Sequence, residues 1–215
     1  MKIKWHVMLV FAAGLLRLAA AGRQPQPYTL VVKAYTGVNG HDFRIRLTRS
    51  ATSVVAHYAR LDSVQLHQLR KDQELAALTE MVMAVMSDSC LPKAAKAAIG
   101  QRYVARADTY RVYRQDSLQL SAAAFPAFVQ LLDSVTQAST EQLEQREANR
   151  FRIVLDGTNV SLLIKPAEGP ARTLSAHSPR ARTHPLLYRL LHESLQLYRQ
   201  RRPTSLLPTS YTSNY

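Results

Sequence analysis

Residues able to recognise a charged ligand gather at two places in the chain. In FRIRL (43–47) Arg44 and Arg46 are two apart. A strand would put both on one face and Phe43, Ile45 and Leu47 on the other. In TYRVYRQ (109–115) Arg111 and Arg114 lie beside Tyr110 and Tyr113, shortly after Tyr103. Guanidinium groups hold phosphate, sulfate or carboxylate through forked hydrogen bonds, and tyrosine stacks on sugars or bases. Arg44, Arg46, Arg111, Arg114, Tyr110 and Tyr113 are the candidate anion-binding residues, provided that their strands pair. The competing reading is an ordinary solvated sheet face whose arginines discourage edge pairing.

Other chemistries find little material. GxSxG, HExxH, the Walker loop and GxGxxG are all absent. The chain has only 7 glycines from which to build a phosphate-cradling loop. His41, His57, His67, His177, His184 and His192 are scattered, and Pro185 separates the last two. No metal, cofactor or catalytic residue is expected, although a Ser/His/Asp triad assembled only in three dimensions would leave no local trace. Asp62, Asp88, Asp116 and Asp133 each precede serine and read as local hydrogen-bonding features. Cys90 is the only cysteine, which excludes an intramolecular disulfide, CxxC redox chemistry and a cysteine zinc cluster. A buried structural thiol is the expected state.

The charge balance agrees with an anionic partner. Lys and Arg number 28 against 15 Asp and Glu, a formal net charge of +13. Lipid headgroups, acidic polysaccharides and nucleic acid all fit such a balance, and so does a merely solvated basic surface. The first residues carry an address. MKIKWH supplies two lysines, VMLVFAAGLL is an apolar run, and Ala19 and Ala21 stand in the small-x-small arrangement of a cleavage site. Residues 1–21 therefore read as a secretory signal cut between Ala21 and Gly22. The run is well short of the roughly 20 residues that span a bilayer, and no later stretch is apolar enough. The mature chain is expected outside the cytoplasm, secreted or periplasmic, without a transmembrane span.

The elements that would position these residues follow from periodicity. YTLVVKAY (28–35), FRIRL (43–47) and SVVAHYA (53–59) read as strands. Residues 69–89 form an amphipathic helix on Leu75, Leu78, Val82 and Val85, with Met81 and Met86 as flanking core filler. KAAKAAIG (93–100) is a short helical turn stopped by Gly100. Residues 103–120 alternate and are expected to be a second strand pair. A helix begins at Pro126 and runs to about residue 148. FRIVLDGTNVSLLIK (151–165) reads as a hairpin turning at Asp156-Gly157. Residues 167–184 form a basic connection holding one short strand, and Pro185 opens the last helix. Residues 203–215 are an expected disordered tail.

FRIRL at Phe43 recurs as FRIVL at Phe151. The likeness runs through residues 43–59 and 151–167, and a helix follows each. Duplication into units 28–100, 101–150 and 151–202 accounts for it; so does the resemblance of any two amphipathic hairpins. The fold expected for residues 22–202 is one α+β domain: an antiparallel sheet from two or three hairpins, packed on one face against about three helices, with a tandem hairpin-helix repeat. The function expected is non-catalytic binding of an anionic envelope polymer or a protein. A secreted hydrolase with an unrecognised site is the alternative, and extracellular nucleic-acid binding a weaker third.

Overall fold

A computed structural model describes residues 26–36, 41–88, 90–154, 157–202, 206–209 and 212. The signal peptide expected at 1–21 lies outside the described residues. Alternation builds the sheet. Strands β1 (Tyr28–Thr36), β2 (Phe43–Arg49) and β3 (Ser53–Val64) form an antiparallel meander. β4 (Arg111–Ser121) adds beside β3, while β5 (Thr158–Pro166) and β6 (Arg172–His177) extend the other side of β1. The order is β4-β3-β2-β1-β5-β6, antiparallel throughout. The fold is α+β, as expected.

Every second strand residue faces one core. Leu30, Val32, Ile45, Leu47, Val54, Ala56, Leu162 and Ile164 are buried on this inner face. Two helices cover it: α4 (Pro126–Gln137) through Phe128, Leu131, Leu132 and Val135, and α7 (Pro185–Arg201) through Leu187, Leu190, Leu191 and Leu195. Both start with proline at the first helical turn, where a missing N–H costs nothing. Polar ties fix the layers. Tyr28 donates to Asp133 at 2.6 Å, and Tyr58 donates to the Ser194 carbonyl at 2.9 Å. Tyr58 also stacks on Tyr198, whose hydroxyl donates to Asp116 at 2.8 Å.

The remaining helices sit between strands. α1 (Leu66–Lys71), α2 (Gln73–Ser87) and α3 (Lys93–Asp108) form an insertion between the paired strands β3 and β4. After α4 come two short helices, α5 (Thr140–Glu144) and α6 (Arg146–Asn149). The expected single helix to residue 148 is broken twice: Ser139 caps α5 in a capping box, and Gln145 takes φ 50°.

Several other expectations are corrected. Gly100 lies inside α3 rather than ending it; one interior glycine costs only about 1 kcal/mol, and the alanines before it sustain the helix. Residues 103–108 are therefore helix, and Tyr103 and Tyr110 lie outside β4. Met81 is 40% exposed on α2 instead of filling a core, while Leu75, Leu78 and Val85 are buried. Cys90 is exposed. Leu207, in the expected disordered tail, is buried, and its carbonyl accepts from Arg199 at 2.8 Å. The hairpin at 151–165 does not form. β5 pairs with β1 and β6, and residues 151–154 belong to no strand. Phe43 is 1% exposed at the head of β2, whereas Phe151 is 82% exposed. The two FRI segments do unlike jobs, and the hairpin-helix repeat does not emerge.

Candidate anion-binding face

The strand registers define an outer face opposite the core. Directly opposed residues in an antiparallel pair point the same way. Across it run Lys33 opposite Arg44, Arg46 opposite His57, Thr29 opposite Lys165 and Leu61 opposite Tyr113. In these registers every charged outward strand residue is basic, while Asp116 of β4, opposite Tyr58, lies on the inner side. Arg46, Thr48, His57, Gln119 and Lys165 are exposed.

Of the six candidates, Arg44, Arg111 and Tyr113 come together. β2 and β4 do not pair; β3 lies between them, so two strand spacings of roughly 10 Å must be bridged. The small Ala59 sits opposite Arg44 on the intervening strand. Arg44 reaches over it and stacks 4.1 Å above the Tyr113 ring. Arg111 lies 5.2 Å from the Tyr35 ring centre. Two carboxylates close this cluster. Asp108, the last residue of α3, pairs with Arg44 at 2.8 Å and Lys33 at 3.4 Å. Asp42 pairs with Arg111 at 3.0 Å and accepts from the Thr36 amide at 2.9 Å.

Burial and charge act together here. Burial raises the Tyr35 hydroxyl above its ordinary range, reinforced by Asp108. Burial also raises Tyr113, against the pull of Arg44. Desolvation works against the Arg111 cation, but the neighbouring Tyr113 hydroxyl and the Asp42 charge carry it upward overall. Lys33, Arg44 and Arg111 against Asp42 and Asp108 leave the cluster a single positive charge in excess. An anion entering it would compete with carboxylates already in place.

The other three candidates separate. Arg46 has no ion pair among the described residues and projects from the open part of the face. Arg114 is on the inner side of β4, paired with Asp62 of the β3 bulge at 2.7 Å. Tyr110 lies beyond the sheet and donates to Asp72 at 2.5 Å, where Arg106 also binds at 2.5 Å. Sequence reasoning missed Asp72, Asp42 and Asp108. None stands beside its partner in a recognisable spacing, except Asp108 three residues before Arg111. Lys165 was missed too, because its strand was expected in a separate hairpin.

A second polar concavity lies at the β6 edge. Glu144, Arg146, Asn149, Arg152, Ser175, His177 and His184 line a cleft of about 250 Å³. Its groups are engaged. Glu144 accepts from the Ser175 amide at 3.0 Å and pairs with Arg146. Arg152 donates to the carbonyls of His177 and Ser178 at 2.7 and 2.8 Å. His184 is buried beside Thr183, and desolvation, helped by the Arg152 charge, lowers its imidazole below the usual range. No group of three or more His, Cys, Asp and Glu side chains able to hold a metal occurs among the described residues.

No known family, curated protein or solved structure matches the chain. The residues alone carry the functional reading. Among the described residues, no helix is long and apolar enough to cross a membrane.

Proposed function

We propose that the protein is a secreted or periplasmic, non-catalytic binding protein whose outer sheet face takes an anionic envelope polymer or an acidic protein surface. The observation that carries this reading is the one-signed charge of the strand registers. Arg46, His57 and Lys165 stand exposed, with half-buried Val31, Val55 and Leu163 between them. A pleated face of this kind sets exposed basic side chains beside half-buried apolar ones, suited to an extended polyanion. The export reading is supported by the layout of residues 1–21.

The test is retention on an anionic polysaccharide matrix as a function of salt. Arg46→Glu with Lys165→Glu should elute at markedly lower salt than the unaltered chain and show a shallower salt slope. Arg114→Glu with Arg201→Glu changes net charge equally but leaves the outer face intact, and should elute later than the first variant. Equal behaviour of the two double variants, or a salt slope near zero, would sink the proposal.

The cleft at the β6 edge favours a second reading, a hydrolase using Glu144 with His177 or His184. It stands second because the cleft's carboxylate and guanidinium groups are occupied by the fold. A general ester and glycoside substrate panel with a His177→Asn control separates the two readings.

A further inference from the structure

We propose that Phe151 and Ile153 form a two-pronged anchor that inserts into the surface of an anionic lipid bilayer. Among the described residues these are the most exposed large apolar side chains, at 82% and 86%. Their outward direction is fixed by their neighbours. Arg152 turns inward to the carbonyls of His177 and Ser178, and Val154 lines the same cleft as Arg152. Residues 151 and 153, alternating with them, are left pointing to solvent. Asn149 secures the near end by donating to the Thr183 carbonyl at 3.0 Å. The prongs are thus held out by a braced segment.

The surroundings select the occupant. Arg146 and Arg150 have side chains 72% and 61% exposed, and Arg150 packs 4.4 Å over the Phe151 ring. Arg180 and Arg182 are exposed on the turn to which Arg152 and Asn149 bind. Among the described residues, the acids here are Glu144, paired with Arg146, and Glu147, paired with Arg150 at 3.7 Å. With Arg152 counted, positive charge prevails around the prongs. Aromatic and aliphatic side chains ringed by arginine suit an interface where headgroups are negative and acyl chains lie just below. A protein partner fits less well. Two side chains offer a few hundred Å² at most, below the roughly 800 Å² per partner of a stable interface. A bilayer needs no shape complementarity. This site is separate from the sheet face, and neither proposal depends on the other.

The experiment uses the protein as recovered from its expressing cells, with its N-terminus fixed by intact mass. Co-sedimentation is measured with phosphatidylcholine vesicles with and without phosphatidylglycerol. The unaltered protein should bind the anionic vesicles more tightly, and added salt should weaken binding. Phe151→Ser with Ile153→Ser should reduce that affinity about tenfold or more. Arg150→Glu with Arg182→Glu should reduce it for anionic vesicles only. In a Trp5→Phe, Phe151→Trp variant, vesicles should shift the indole emission to the blue, and brominated acyl chains should quench it. Unchanged binding by the double serine variant overturns the proposal, as does an indole emission that vesicles leave unmoved. Concentration-dependent self-association that the serine variant abolishes, without vesicle binding, also overturns it and assigns the prongs to a second copy of the chain.

Discussion

At Asp72 one carboxylate takes hydrogen bonds from the Leu75 amide, Arg106 and Tyr110, and so joins the start of α2 to the end of the insertion. Those partners hold its carboxyl well below the usual carboxylate range, the Arg106 bond contributing most. A lowered folded-state value means that this stabilisation is complete above the ordinary carboxylate range. It is lost as pH falls through the depressed value. Asp72→Ala should therefore speed hydrogen exchange throughout α2 and α3 at neutral pH and leave the inner-face strands protected. Uniform exchange across the chain would refute that. The buried tyrosines carry the opposite sign. Desolvation first, then Asp133, raises Tyr28; desolvation, then Tyr198 and Asp116, raises Tyr58. Their contribution is full below about pH 10 and declines as pH rises above it. Ultraviolet titration should find both silent until the chain unfolds in alkali.

Among elements, local pattern and long-range pairing part company. Strands β1, β2 and β3 and helices α4 and α7 were legible because their apolar residues recur at the period of the element itself. FRIVL has the same strand period as FRIRL, yet β1 accepts β5 as its second neighbour and leaves Phe151 outside. Period fixes which residues share a face; it says nothing of which partner takes the edge. The candidate site was legible in the same measure. Arg44, Arg111 and Tyr113 meet because Ala59 is small, and the meeting depends on two strand pairings that no single segment contains. Gly100 looks like a helix stop yet lies inside α3, and it offers a direct test. A Cβ there would meet nothing within 4 Å, in the interior of a helix. Gly100→Ala should stabilise the protein by about 0.5–1 kcal/mol in urea unfolding. In contrast Leu132→Ala, at a fully buried position on the core side of α4, should cost about 2–5 kcal/mol.

For the whole molecule, the two faces of the sheet divide the work. The inner face holds the helices through apolar packing and the tyrosine ties; the outer face presents the basic strand residues. Its two edges are treated differently. At β6 the Ser175 amide is taken by Glu144, whereas β4 is marked by Arg111, Arg114 and the β3 bulge at Asp62. Charge and irregularity of that kind discourage addition of a foreign strand. With a formal net charge of +13, self-repulsion should keep the chain dispersed at low salt. Light scattering at rising ionic strength should show association only as screening becomes effective, and salt-independent aggregation would contradict this.

The insertion of α1, α2 and α3 also bears on how quickly the molecule can form. β3 and β4 share the sheet's longest register, but residues 65–110 separate them, with the Gln65 amide bonded to the Tyr110 carbonyl at the neck. Zipping that pair requires closing a long loop before any reward arrives, unless α2 and α3 have already drawn its ends together. Helix pairing within the insertion would then act as a folding clamp. Asp72, at the clamp's throat, would set a rate as well as a stability. Replacing residues 66–109 by a tight turn should leave the six-stranded sheet in place and make refolding faster, with little change in the unfolding rate.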